Sequence, residues 1–299
     1  MPELPEVTAL AAALTERTRD LVVARIDVAA ISALKTFDPP VAATRGARVL
    51  GWTRAGKHLV ADLVDPAGEP LHLVVHLARG GWVRWRDEVP RTPPALGRGA
   101  GPLALRISFA TDDGQPAGGV DITEAGTQKR LAVHLVRSPA DVPRIATLGP
   151  DPLDERFDRE ALAAVLQQAG RAQLKGVLRD QSRIAGIGNA YSDEILHAAR
   201  LSPYAPAGTL PEAAQERLFE AIRTTLGAAV AAASAADPTT LKAEKRAGMS
   251  VHGRAGQPCP VCRDTVREVS FADSSLQYCP TCQTGGRPLA DRRMSRLLK

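Results

Sequence analysis

Apolar residues recur along this chain with two different rhythms, and the change between them divides it. Val7, Leu10, Ala11 and Leu14 fall on one face of a helix running from about Glu3 to Thr18. From there to about residue 136 the rhythm shortens, and residues 22–28, 48–54, 58–63, 71–76, 82–85, 103–109 and 131–136 form short alternating or β-branched runs. Clusters of glycine, proline and aspartate separate them at Asp65-Pro-Ala-Gly, at 92–102 and at 112–119. Many short strands at this spacing predict an antiparallel β-sandwich or barrel. The two-proline stretch Leu148-Gly-Pro-Asp-Pro-Leu153 then marks a boundary. Past it the spacing is helical, over 159–168, 174–181, 190–199 and 211–233. Strands followed by helices predict an α+β, multidomain chain.

Composition narrows the class. The 299 residues are enough for about two domains with real cores. No stretch approaches the ~18 uninterrupted apolar residues of a membrane span. Glu3 and Glu6 occupy the place of a basic leader region, so a soluble, intracellular protein is expected. The net charge of +5 is unevenly spread, with 11 Lys and Arg against 5 Asp and Glu from Leu241 to Lys299. The preceding 240 residues carry 27 against 28 and are close to neutral. A basic end on a neutral body points to a polyanion, nucleic acid being the usual one, although a solubilising tail has the same charge.

All four cysteines lie in that basic end, as Cys259-Pro-Val-Cys262 and Cys279-Pro-Thr-Cys282. Two such knuckles at this separation fit a four-thiolate zinc site, with two disulfides as the rival reading in an oxidising compartment. One closed zinc site of this kind is structural: it ties together a hairpin too small to bury a core.

Other candidates are single side chains with ordinary alternatives. With Met1 removed, Pro2 would offer a secondary α-amine, which titrates near ~8 and attacks carbonyl carbons. Glu3 beside it has the chemistry of an acid/base, yet Pro and Glu also suit the first turn of any helix. Gly186 and Gly188 in Asp180-Gln-Ser-Arg-Ile-Ala-Gly-Ile-Gly-Asn-Ala-Tyr191 permit a turn with exposed amides ahead of a helix near Asn189. That is a phosphate-binding arrangement or a plain interhelix turn. Lys57, Lys175 and Arg79 stand on turns where solvated surface is the default.

Five stretches in order nevertheless resemble the formamidopyrimidine-DNA glycosylase / endonuclease VIII family of bacterial base-excision repair enzymes. They are the Pro2-Glu-Leu-Pro-Glu-Val7 start, the Gly56-Lys57 turn, the His76-Leu77 strand with its glycine-bearing loop, the Gln181-to-Tyr191 element and the four cysteines. The resemblance implies an N-terminal catalytic β-sandwich over 1–148 and a helical helix–two-turn–helix DNA-binding domain over 149–240. A zinc-finger hairpin with a basic tail would occupy 241–299. It implies a DNA glycosylase with AP lyase activity, acting as a monomer on damaged double-stranded DNA in the bacterial cytoplasm and nucleoid. Pro2 would be the nucleophile at C1′, Glu3 the proton shuttle, Glu6 a support and Lys57 a phosphate contact. Arg79, Lys175 and Asn189 would join Lys57 in gripping DNA, and Cys259, Cys262, Cys279 and Cys282 would hold the zinc.

The chain departs from the family pattern where lesions are read. The arginine usual five residues before the third zinc cysteine is Ser274, and the wedge methionine after His76-Leu77 is Arg79. The family's Arg-Phe wedge pair has no counterpart between Glu124 and Arg130, and the link from Leu241 to Gly253 is short for a loop closing over 8-oxoguanine. Arg267 and Arg287 are near enough to replace the missing arginine. Arg287 is favoured because Gly285 and Gly286 let the chain turn back, the alternative being a diffuse tail with Arg292, Arg293 and Arg296. Two functions are therefore carried forward: a glycosylase/lyase closer to endonuclease VIII than to an 8-oxoguanine enzyme, and a non-catalytic binder of damaged or structured DNA.

Overall fold

The computed structural model describes residues 1–96, 101–238, 240–271 and 274–290, and divides into two compact units. One comprises Met1–Thr147 with Ala233–Leu241, the other Leu148–Ala232 with the described residues from Lys242 onward. Arg292, Arg293 and Arg296 of the basic tail lie outside the described residues.

The first unit begins with helix α1, Leu4–Thr18, followed by strands β1 (Val22–Val28), β2 (Arg48–Ala55), β3 (His58–Val64) and β4 (Pro70–His76). Then come β5 (Gly81–Arg86), β6 (Leu103–Ala110), β7 (Pro116–Glu124), β8 (Ala132–Val136) and a short α2 (Pro143–Ala146). All strand pairs are antiparallel, in the order β5-β7-β6-β1-β2-β3-β4-β8. β1 meets β2 at the single pair Val22↔Arg48, whereas it runs beside β6 from Val22↔Ala110 to Val28↔Leu105. The sheet parts at that one pair into two four-stranded layers. Alternate residues of both, including Val49, Leu59, Leu73 and Leu135 from one and Val83, Leu105, Ile107 and Ile122 from the other, enter one buried cluster. This is the sandwich that the apolar rhythm predicts. α1 adds Val7, Leu10 and Leu14 to the same core. Its threonines fix it to β2: Thr15 Oγ1 donates to the Trp52 carbonyl and Thr18 Oγ1 accepts from the Trp52 indole at 2.9 Å.

β7 was not anticipated, because Pro116-Ala-Gly-Gly reads as a turn. Its glycines answer to crowding instead. A Cβ on Gly118, whose φ is +81°, would lie 2.6 Å from the Trp85 ring, and one on Gly119 would overlap the Ile107 carbonyl oxygen. Only glycine lets β7 pass between β5 and β6 there.

The second unit holds α3 (Arg159–Ala169), α4 (Leu174–Arg179), α5 (Asn189–Ala198), most of α6 (Glu212–Ala235) and α7 (Leu241–Ala247), while Ala233–Ala235 and Leu241 belong to the first unit. Asp158 caps α3, accepting the Ala161 N–H at 2.8 Å. The hairpin β9 (Arg267–Ser270) and β10 (Ser275–Tyr278) and the short α8 (Pro280–Thr284) follow. Val269, Leu276 and Tyr278 of the hairpin pack with Tyr204 and Leu289. No helix among the described residues is long and apolar enough to cross a membrane.

Candidate active site and nucleic-acid interface

The N-terminus of α1 is built around buried charge. Pro2, Glu3 and Glu6 are all buried, the two glutamates at 2 % exposure. Glu6 turns its carboxylate back to accept the Glu3 N–H at 2.7 Å, so it fixes the backbone that carries Glu3. Pro5 in the first turn needs no N–H partner, and the positive end of the helix favours both carboxylates.

Lys57 sits in the β2–β3 turn at 8 % exposure, following Gly56 at φ +56°. Arg54 joins this turn to α1. Its Nε donates to Thr8 Oγ1 at 3.0 Å and its Nη1 to the Gly56 carbonyl at 3.1 Å. Sequence reading passed over Arg54, although an arginine three residues before a candidate lysine was visible.

Next to Lys57, His58 on β3 stands opposite His76 on β4, with ring centroids 4.9 Å apart. His58 Nδ1 lies 3.1 Å from the Ala55 carbonyl, which only accepts, so that nitrogen carries the proton. Burial lowers the His58 pKa to about 4 and, with the charges of His58, Arg144 and Lys57 adding to it, lowers that of His76 to about 3. Both imidazoles are neutral at physiological pH.

Arg79 is exposed on the turn between β4 and β5. The turn is closed by a hydrogen bond: Ala78 adopts φ +50°, and Gly81 N–H donates to Leu77 O at 2.8 Å. A Cβ on Gly80 would overlap the Ala125 carbonyl oxygen, and Ala125 N–H donates back to Gly80 O at 3.1 Å. The Arg79 turn is thus backed by the segment after β7. There the buried Glu124 carboxylate accepts the N–H groups of Arg130 and Leu131 at 2.7 and 3.0 Å.

In the second unit Lys175, expected as a phosphate contact, makes bonds inside the fold. It is 5 % exposed, and its Nζ donates to Asp193 Oδ1 at 2.6 Å, Ser192 Oγ at 2.7 Å and the Asn189 carbonyl at 3.1 Å. The reason is Asp193, whose fully buried side chain needs a counter-charge. Asn189 lies at the first position of α5, and its Nδ2 donates to the Ser275 carbonyl at 2.8 Å. Glu194 accepts N–H groups from Ser250, Val251 and His252 at 2.7–2.9 Å. None of these acidic partners was singled out from the sequence. Gly285 and Gly286 both have left-handed φ, +60° and +82°, so the chain does turn around the exposed Arg287.

The four cysteine sulfurs lie within 4.8 Å of one another and form no disulfide. Sγ···Sγ separations of 3.3 Å (Cys262–Cys279) and 3.9 Å (Cys259–Cys282) bracket the ~3.8 Å edge of a tetrahedron with ~2.3 Å zinc–sulfur bonds. Burial opposes ionisation of Cys259, but the N–H groups of Cys262 and Val261 and the contact with His197 outweigh it and hold its thiol below the ordinary range. The Asp264 N–H does the same for Cys262. Burial pushes the Cys279 thiol up to about 11 and raises Cys282 as well. A divalent cation favours the thiolate form that burial opposes in Cys279 and Cys282.

Comparison with known proteins matches residues 1–128 to the formamidopyrimidine-DNA glycosylase N-terminal domain and 148–239 to the H2TH domain of the same enzymes. A formamidopyrimidine-DNA glycosylase of Parasynechococcus marenigrum is 32% identical across 95% of this chain and 100% of its own length. The chain belongs to the formamidopyrimidine-DNA glycosylase family. Within that family, an uncharacterised glycosylase-like protein of Mycobacterium tuberculosis is 57% identical over 160 residues, 54% of this chain and 99% of that protein. The fold matches the Lactococcus lactis enzyme solved with Fapy-dG-containing DNA, at a TM-score of 0.79 and 24% identity over 95% of this chain and 100% of that one. Residues 256–285 match the zinc finger found in formamidopyrimidine-DNA glycosylases and isoleucyl-tRNA synthetase. With the sulfur geometry, this gives the family member one structural zinc site, held by Cys259, Cys262, Cys279 and Cys282.

Proposed function

We propose that the protein excises damaged bases from double-stranded DNA and then cleaves the strand, as a bifunctional DNA glycosylase and AP lyase of base-excision repair. Family membership supports the enzyme class, and the buried Pro2-Glu3 pair at the head of α1 carries the mechanism. With Met1 removed, the Pro2 nitrogen attacks C1′ of a flipped-out nucleotide, the bond to the base breaks, and the base leaves with a proton. Glu3 protonates the sugar ring oxygen as the ring opens to an iminium. The iminium draws electrons from C2′, which loses its proton, and the 3′ phosphate leaves without hydrolysis. A second elimination releases the 5′ phosphate. Glu6 holds Glu3, Lys57 contacts the phosphate beside the lesion, and Arg79 enters the duplex from its hydrogen-bonded turn. Asn189 and Arg287 serve the DNA contacts of the second unit. The Lys175 ammonium positions α5 through Asp193.

The lesion range we assign is that of endonuclease VIII rather than of a dedicated 8-oxoguanine enzyme. What supports this is the stretch after Leu241: a helix to Ala247, then three consecutive N–H groups held by Glu194, which leaves little chain to close over a purine. A duplex panel carrying an oxidised purine, an oxidised pyrimidine or an abasic site tests it. Release of oxidised pyrimidines at least ~10-fold faster than 8-oxoguanine is expected. The reverse order would refute the lesion assignment, and no cleavage even at the abasic site would refute the enzyme reading.

A further inference from the structure

Helix α5 turns one face toward the zinc-binding segment. Asn189, Asp193 and His197 recur every four residues and so line up along the helix. Asn189 reaches the Ser275 carbonyl, and Asp193 Oδ2 accepts from the Gln277 N–H at 3.3 Å and lies 2.8 Å from His252 Nδ1. His197, last in the row, places Nε2 3.3 Å from Cys259 Sγ, with both residues at 5 % exposure or less. The stripe continues past the helix, where Gln283 Nε2 donates to the Leu201 carbonyl while its Oε1 accepts the N–H of Cys279.

We propose that His197 is a positioning residue for the metal centre: its Nε2–H donates to the zinc-bound thiolate of Cys259 and fastens the metal site to α5. A ligating sulfur at full negative charge inside a protein needs donors around it, and outer hydrogen bonds of this kind typically change metal affinity about 10–100-fold. The Cys259 sulfur is fully buried, so water does not take that place. The imidazole is well suited to it, since one ring nitrogen carries a proton while the ring stays neutral. The arrangement also gives the helix that bears Asn189 a direct stake in zinc occupancy.

The experiment uses the full chain loaded with zinc or with cobalt(II) as an optical probe. His197→Phe keeps a ring and removes the donor. It is expected to lose zinc to a chromophoric chelator with a roughly 10–100-fold weaker affinity. Its sulfur-to-cobalt charge-transfer band should move to lower energy, because a thiolate without the hydrogen bond is the better electron donor. His197→Gln, which restores an N–H, should recover part of both effects. Wild-type zinc affinity together with an unmoved cobalt band in His197→Phe would overturn the proposal. Should that variant fail to fold, ¹⁵N-histidine NMR of the zinc-loaded wild type decides. A slowly exchanging proton on His197 Nε2 supports the bond, and a proton on Nδ1 with bare Nε2 overturns it.

Discussion

Glu3 and Glu6 are joined within one helical turn, and Lys57 stands on a two-residue hairpin turn, so the candidate catalytic residues of the first unit are placed by local structure. Buried charge in the second unit is arranged from afar. Lys175 meets Asp193 18 positions on, Glu194 takes N–H groups 56 to 58 away, and Gln277 reaches Asp193 across 84. The first unit also owns a large apolar core shared by eight strands and α1, whereas the zinc segment buries only small clusters such as Val251, Val266 and its cysteines. One unit can hold its site by hydrophobic burial and local chemistry. The zinc segment of the other unit depends on a polar network and a metal, so it should be the more fragile and the more separable.

Removing the metal should widen that contrast most. Chelation or Cys279→Ser is expected to unfold the β9–β10 hairpin and its knuckles, because the metal supplies much of such an element's folding free energy. The first unit should keep its own unfolding transition, and near-UV circular dichroism of Trp52, Trp82 and Trp85, all in that unit, reports on it separately. Loss of the tryptophan signal together with the zinc would contradict the separation.

The same contrast explains what could be read in advance. Period-two alternation marked seven strands, and helical spacing of Val7, Leu10, Ala11 and Leu14 marked the terminal helix, since each is a local pattern. β7 escaped because its glycines answer to Trp85 and Ile107, which come from other strands. At the site, Pro2, Glu3, Lys57 and the cysteines were legible as motifs. Asp193, Glu194, His197 and His252 were not, because their meaning arises only when α5 meets a segment some 60 residues later. The bonds of Lys175 to Asp193 and Ser192 were hidden for the same reason: the burial of Asp193 is invisible in sequence.

A second effect should come from Lys175→Met, which removes the lysine from the buried Asp193 and leaves it only the contacts with His252 and the Gln277 N–H. Breaking such a pair from one side costs about 3–5 kcal/mol, and chemical denaturation followed in the second unit should show a loss of that order. The double variant Lys175→Met with Asp193→Leu should recover a good part of it. No recovery would mean that the wider network, and not the pair, is what matters.

The smallest effect concerns acid. Unfolded histidines take up protons near ~6.5, while folded His58 and His76 do so only at about 4 and about 3. Between those limits the unfolded chain binds more protons, so this contribution to stability is complete above ~6.5 and is lost as pH falls toward 3. Denaturant midpoints measured from pH 7 to pH 5 should therefore fall less steeply in His58→Phe than in the wild type. Equal slopes would mean that His58 is not buried neutral.

The proposed chemistry needs an N-terminal proline as nucleophile, and trapping addresses that directly. The full chain, with Met1 removal verified by mass spectrometry, is incubated with abasic-site duplex in borohydride, and the adduct is digested and mapped. A reduced sugar linked to the peptide beginning at Pro2, absent from Pro2→Gly, is the predicted result. A stable adduct mapped to a lysine such as Lys57 in the wild type, or strand cleavage by protein that retains Met1, would contradict it.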